Sequence, residues 1–490
     1  MSSNGKSKTI HDRLGHPVID ADGHYLEFGP SILDYLKRVA GDKVAETFLG
    51  RNERVAHVLN QTPEERREQR RAQEAFWAAP TKNTRDRATA LLPRLLYERL
   101  DELGFDFTVL YPTAGLGVPF IPDEELRRAT CRAFNMYVAD HFREFADRMT
   151  PAAVVPMYSP TEALEELEYA VHTLGLKVIV MGSMVRRPIK AVERKAPAAG
   201  RYASWYDMLG LDSEHDYDPV WAKCVELGVS PTFHTGSRGI GFRVSPTNFT
   251  YNHIGHFATA SEAVCKAIFM GGVTRRFPSL KLGFLEGGVG WACTLYCDLI
   301  GHWKKRNLKA LEEVNPANLD RALLSELIRR YGGEELARRS EASRSVAGGQ
   351  RGDAVGGIRQ LDDFAACKIE RPEDIRDLFV KNFYFGCEAD DPVNAWAFNR
   401  RANPYGARLN TLFGSDIGHF DVVDMAEVLI EAHELVDDGL ITPDDFRDFV
   451  FESPVRFWGE ANPNFFKGTS VEGAAAKLLR ETSAQAAAAL

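Results

Sequence analysis

The stretch "PVIDADGHYLE" at residues 17–27 runs a short apolar segment, Pro17 to Ile19, straight into Asp20, Asp22, His24 and Glu27. Carboxylates and imidazoles are the side chains that hold divalent metals and move protons near neutral pH. Alternation along a strand places residues two apart on one face, so Asp22 and His24 can project into the same space. Other apolar runs end in similar groups. His234 closes "PTFHTGS", Glu286 lies in "FLEGGVGW", and Asp416 ends "LFGSD", with His419 three residues on. Singly, an aspartate after a strand is commonly a helix N-cap and a histidine a loop residue. Jointly, Asp22, His24, His234 and Asp416 form a donor set of two carboxylates and two imidazoles from three strand ends. That set suits one divalent ion, Zn²⁺ or Mn²⁺, with water or substrate in the remaining positions.

Such groups converge only if the strands run side by side. Eight strand candidates recur: 17–22, 107–113, 152–157, 176–182, 229–236, 280–288, 382–388 and 410–416. Between most of them lie amphipathic helical patterns, as at 123–149 and 161–175, the latter with Thr and Glu placed like a capping box. Eight strands alternating with helices predict an α/β fold, a (β/α)₈ TIM barrel, whose functional groups sit at the C-terminal ends of the strands. An open doubly wound sheet is disfavoured because no GxGxxG follows the first strand. The expected organisation is a flexible segment at 1–16, a barrel over 17–465 and a tail at 466–490. Two long, mostly helical insertions fall at about 28–106 and 292–381, the second with a Gly- and Ser-rich mobile loop at about 338–360. Insertions at a barrel rim build lids or subunit contacts, so a homodimer or higher homo-oligomer is expected.

Composition narrows the partners. With 490 residues, 44% of them hydrophobic, the chain can bury a large core. A net charge of -9 leaves no basic footprint for nucleic acid. The basic stretch at 64–74 alternates with glutamates and reads as a solvated helix face. No long uncharged apolar run suggests a membrane span, and the N-terminus has no apolar signal segment. Seven cysteines form no CxxC pair, which with the missing export signal points to a reduced, cytoplasmic protein.

Four motifs, "DADGHYLE" (20–27), "FHTG" (233–236), "GGVTRRFPSLKLGFLEGGVGW" (271–291) and "LFGSDIGHFD" (412–421), resemble the amidohydrolase-related (amidohydrolase 2) family. This is the branch of metal-dependent TIM barrels that includes aminocarboxymuconate semialdehyde decarboxylase and resorcylate-type decarboxylases. The likeness spans roughly residues 17–460, apart from the two insertions. It departs from the family pattern where Asp22 opens a motif that is usually HxH or ExH, and where Glu286 replaces a histidine.

The expected activity is metal-dependent hydrolysis, in which a metal-activated water attacks an amide, ester, thioester or C–C carbonyl of a small aromatic or hydrophobic substrate. Asp416 and His234 are the expected catalytic residues; Glu286, Arg238, His253, His256 and His419 are expected to meet the substrate. Tyr111, Phe233, Phe257, Trp291 and Phe420 are placed near the mouth. The alternative implied by the resemblance is non-oxidative decarboxylation of an aromatic or unsaturated acid, with Arg238 holding the acid. A barrel that has lost catalysis and serves as a binding subunit is the third reading.

Overall fold

The computed structural model describes residues 6–74, 82–200, 202–342 and 361–488. Eight strands run parallel in one sheet: β1 (Ile19–Tyr25), β2 (Phe107–Pro112), β3 (Met149–Val155), β4 (Val178–Met181), β5 (Pro231–Phe233), β6 (Leu282–Phe284), β7 (Phe383–Glu388) and β8 (Asn410–Gly414). Their order in the sheet is their order in the chain. Because both faces of a barrel strand are covered, the strands read as near-continuous apolar runs and are almost wholly buried. The fold is the TIM barrel that the strand count predicts.

Closure depends on β1. Its pairing with β2 is regular at Ile19 and Asp20, then shifts before Gly23. This bulge turns the Asp20 carboxylate into the seam between β2 and β8. There Asp20 accepts hydrogen bonds from Thr108 Oγ1 (2.7 Å), Ser415 Oγ (2.8 Å), the Ser415 amide (3.0 Å) and the Asp22 amide (3.2 Å). The Asp416 amide donates to the Asp22 carbonyl and the His24 amide to the Ile417 carbonyl, at 3.0 and 2.8 Å. A single buried carboxylate therefore joins first, second and last strands. Burial pushes its pKa up to about 6, against the pull of the Thr108 and Ser415 hydrogen bonds.

The two long connections are largely helical. Residues 28–106 hold helices Gly29–Ala40, Asp42–Leu59, Pro63–Gln69, Thr84–Leu91 and Pro93–Leu103; the second connection holds Arg321–Tyr331, Gly333–Ala342 and Pro372–Asn382. Of the expected loop at 338–360, residues 343–360 lie outside the described residues.

Several local expectations are corrected. The helix expected at 123–149 ends at Phe142, and Met149 opens β3, because Pro151 cannot continue a helix and the Arg148 carbonyl pairs with the Thr108 amide. The next helix starts at Pro160, with Ser159 rather than Thr161 as its cap, accepting from the Glu162 amide at 3.3 Å. Arg66 is not on a solvated face: it is buried, and its Nε donates to the Pro246 carbonyl at 2.7 Å. Residues 6–14, expected to be flexible, form a helix whose His11 meets Asp106 at 2.7 Å, the same carboxylate that accepts the Val18 amide. In the expected C-terminal tail, Phe466, Ala475 and Leu478 are buried, the last two on helix Glu472–Ala488. Between β4 and β5 lies an antiparallel hairpin, Val185–Pro188 with Ser204–Asp207, that the sequence reading did not find.

Removing the seam carboxylate with Asp20→Ala strands buried donors on Thr108 and Ser415, so urea unfolding should show a loss of at least about 2 kcal/mol; a change within about 0.5 kcal/mol would show that the seam closes without it. The Asp106 hydrogen bond raises the His11 pKa above its ordinary value. A raised folded-state pKa stabilises below the unfolded value and ceases to do so as pH rises through the folded value. The melting temperature of wild type should therefore exceed that of His11→Gln at pH 5.5 by more than at pH 8.5, and an advantage that grows with pH contradicts the pairing.

Candidate metal centre

Each expected ligand comes off a strand end, and the fold brings all four together. The Nε2 atoms of His24 and His234 face each other at 3.1 Å. Asp22 Oδ1 lies 3.6 Å from the first and 3.5 Å from the second. Asp416 Oδ1 is 3.5 Å from His24 Nε2, and Glu286 Oε2 is 3.2 Å from His234 Nε2. The Glu286 and Asp416 backbones are left-handed, with φ of 55° and 48°. Non-glycine residues rarely adopt that conformation, and where the fold imposes it the side chain is commonly being aimed. Gly418, two residues after Asp416, has φ 101°, and a Cβ there would lie 2.6 Å from the His24 carbonyl oxygen. Only glycine lets the last strand turn so close to the first.

The electrostatics show what is missing from the protein atoms alone. Asp22 Oδ1 and Glu286 Oε2 are buried oxygens with no hydrogen bond, and the buried Asp416 Oδ1 has His419 Nδ1 beside it. Burial pushes Glu286 well above the usual carboxylate range, and Asp416 and Asp22 push it further. Asp416 is raised in the same way, by burial and then by Asp421. His24 is driven well below the ordinary imidazole value by burial, then by His419 and His234. Carboxylates crowded together out of water are unfavourable until a cation joins them. A divalent ion among these atoms would draw the raised carboxylates back toward their charged forms and would be met by a His24 ring that stays unprotonated, so the residues present fit the group. Two neutral imidazoles and the carboxylates of Asp22 and Asp416 balance a 2+ charge; Glu286 is then a surplus negative charge beside it.

Other groups hold this set in place. The His419 ring stacks on His24 with centroids 3.8 Å apart, and its Nδ1 lies 2.6 Å from Asp416 Oδ1. Tyr111 packs under both ligand histidines, at 6.2 Å from His24 and 5.8 Å from His234. Glu27, the last acidic group of the opening motif, points away from the cluster and accepts the amides of Ala114 and Gly115 at 3.0 and 2.7 Å. It thereby fixes the turn Gly115–Phe120 at the mouth.

A cavity of about 500 Å³ opens over the cluster. His234, Glu286 and His419 line its floor, Leu116, Phe120, Met184, Phe257 and Phe420 its walls, and His253 and His256 one side. His256 is 4% exposed and neither ring nitrogen has a partner. Burial and then His253 lower its pKa to about 3, so the ring is neutral at working pH. Gly236 is what admits it, since a Cβ there would sit 2.0 Å from His256 Nδ1. Arg238 also lines the cavity, but its Nε is 2.7 Å from Glu74 Oε2.

Three of the expected mouth aromatics do not line the cavity: Tyr111 is wholly buried beneath the histidines, and two others lie elsewhere. Phe233 is wholly buried and stacks on Phe284 at 5.5 Å, because the residue before His234 on a strand must face the other way. Trp291 packs on Phe385 at 5.3 Å, behind β7 and outside the cavity. Asp20, Glu388 and Asp421 are contributors that the sequence reading left unassigned. Glu388 ends β7, and burial and then Asp421 raise its pKa to about 7.

A family model described as amidohydrolase matches residues 19–315, more than half of the chain. The chain belongs to the amidohydrolase family. This amidohydrolase shares its fold with a solved amidohydrolase from Mycobacterium avium subsp. paratuberculosis K-10, at 17% identity over 91% of this chain and 100% of the other, with a TM-score of 0.50. A dihydroxybenzoic acid decarboxylase from Polaromonas sp. JS666, solved with manganese and 2-nitroresorcinol, aligns at 16% identity over 92% and 97%, with a TM-score of 0.47. A 2,6-dihydroxybenzoate decarboxylase from Rhizobium aligns at 16% over 90% and 98%, also with a TM-score of 0.47. The cofactor of this amidohydrolase is a divalent metal ion, for which the buried donor cluster is suited. No helix among the described residues is long and apolar enough to cross a membrane.

In chelator-stripped protein the melting temperature should rise with added Mn²⁺ or Zn²⁺, because a ligand that binds only the folded state stabilises it by mass action. The double variant His24→Ala/His234→Ala should fold, lose that rise and purify without the ion. Elemental analysis that still finds one ion per chain in the double variant would move the site elsewhere.

Proposed function

We propose that this amidohydrolase hydrolyses a small substrate at an uncharged carbonyl, with Asp22, His24, His234 and Asp416 holding one Zn²⁺ or Mn²⁺. When bound, the ion supplies Lewis-acid polarisation and makes water acidic enough to act as a nucleophile near neutral pH.

The observation that carries the reading is Glu286. Its buried carboxylate stands 3.2 Å from a ligand imidazole and exceeds the charge a divalent ion balances. Of the arginines among the described cavity residues, Arg238 is paired with Glu74 and Arg186 stands on the rim hairpin, away from this floor. A carboxylate substrate on this floor would face like charge in a low-dielectric pocket. An ester, amide, thioester or β-dicarbonyl would not. Glu286 can instead accept a hydrogen bond from the attacking water or from a donor on the substrate.

The other roles follow from position. Asp416 takes a proton from the attacking water and returns it to the leaving group, with His419 holding the carboxylate in place at 2.6 Å. His256, neutral and unpartnered, donates one ring N–H to a substrate oxygen. The apolar walls exclude bulk water and hold an aromatic or aliphatic body; a cavity of about 500 Å³ is roomy enough for one. Decarboxylation, the second reading, is the activity that the Polaromonas and Rhizobium proteins are named for. Likeness of fold at 16% identity does not transfer it.

The test is a panel of neutral aryl esters, anilides and β-diketones alongside aromatic carboxylic acids, assayed with metal-loaded enzyme. Wild type should turn over a neutral carbonyl compound. Asp416→Asn should lower kcat by about 10²–10⁴-fold. Glu286→Gln should lower kcat by about tenfold or more with metal content unchanged. Release of CO₂ from an aromatic acid, improved by Glu286→Gln, would establish the decarboxylase reading instead.

A further inference from the structure

The cavity is electrically lopsided. Its floor carries Glu286, with Asp421 close by, and its walls are apolar. Its outer rim includes the hairpin between β4 and β5, which contributes Met184, Arg186 and Tyr206. Among the described residues two arginines line the cavity. Arg238 spends its charge on Glu74. Arg186 has no carboxylate within ion-pair distance among the described residues; its Nε donates to Ser204 Oγ at 2.7 Å, which leaves its terminal nitrogens uncommitted.

The position of Arg186 is built. Its neighbour Arg187 points the opposite way, into the protein, where it is 3% exposed. There Arg187 Nε meets Asp207 Oδ2 at 2.5 Å, Nη2 donates to Tyr217 Oη at 2.9 Å and Nη1 to the Tyr158 carbonyl at 3.1 Å. Strand alternation then obliges Arg186 to face the cavity side, across the hairpin from Tyr206, which lines the same space. A buried, fully bonded ion pair thus holds an unpaired guanidinium at the mouth of a pocket whose other arginine among the described residues is neutralised.

From this we infer that Arg186 is a specificity-determining residue, binding an anionic group, a carboxylate, that the substrate carries at the end remote from its reacting carbonyl. The substrate class is an apolar or aromatic carbonyl compound with a distal acid. This rests on the proposed hydrolytic reading for the reacting end and adds the other end. The field orients such a molecule: the acidic floor repels its anion and the rim attracts it, so the neutral carbonyl enters first. A guanidinium gripping a carboxylate through two N–H groups also fixes direction, which a point charge does less well.

The test uses acetophenones bearing a carboxylate at the 2-, 3- or 4-position, each paired with its carboxamide, titrated into metal-loaded enzyme by calorimetry at low salt. At one spacing at least, the carboxylate should bind about tenfold or more tightly than its amide. Arg186→Gln should erase that preference, Arg186→Lys should keep part of it, and metal content should be unchanged in both. A wild type without preference at any spacing overturns the inference, as does a preference that survives in Arg186→Gln. Binding does not need turnover, so the two readings fail separately. A wild type that shows the Arg186-dependent preference and hydrolyses nothing in the ester and amide panel would overturn the hydrolytic reading and leave the anion site standing.

Discussion

Three carboxylates and two imidazoles packed out of water, with closest carboxylate–imidazole contacts of 3.2–3.6 Å, set the terms for the rest of this structure. Asp22 and Glu286 each present a buried oxygen with no hydrogen bond, and the buried Oδ1 of Asp416 meets the ring nitrogen of His419. Unpaired buried charge costs several kcal/mol per group in a folded protein, so the cluster is tolerable only with protons or with a cation. A divalent ion held by Asp22, Asp416 and the two Nε2 atoms would relieve that cost. The fold then has one task at this end of the barrel, which is to keep the donors from relaxing apart. It does so with devices that would be faults elsewhere: left-handed backbones at Glu286 and Asp416, and a glycine at 418 where any Cβ would strike the first strand.

Asp20 is the counterpart of that cluster one layer down. It is buried too, but fully satisfied by Thr108, Ser415 and the Asp22 amide, and so it behaves as a structural clamp rather than a ligand. The four acidic and basic groups of the opening motif thus divide their work. Asp22 and His24 face the centre, Asp20 closes the barrel, and Glu27 holds the turn that forms part of the cavity wall. A hydrogen-bond census separates the roles: the groups without donors are the ones left for a ligand.

Much of this was legible from residue order. Strand ends in a barrel converge whatever the loops do, so Asp22, His24, His234 and Asp416 could be read as one site before any coordinates. Glu286 and His419 follow by the same logic. What was not legible depends on register and on contacts between distant segments. The bulge that turns Asp20 into the seam lies inside a run that otherwise alternates. The rim hairpin is four residues a side and carries two adjacent arginines, which gives no strand periodicity to detect. Phe233 does not reach the mouth, because strand alternation assigns it to the face opposite His234. Arg238 reads as a free cation in sequence, and only the approach of Glu74, from the helical connection after β1, shows that it is not.

The most direct measurement is anomalous diffraction from a crystal of the manganese-loaded protein, collected on either side of the metal edge. The account expects one strong difference peak within bonding reach of His24 Nε2, His234 Nε2, Asp22 and Asp416, with Glu286 beside it. A peak among Glu388, Asp391 and Asp421 instead, or no peak in crystals of enzyme that is active without added metal, would contradict it.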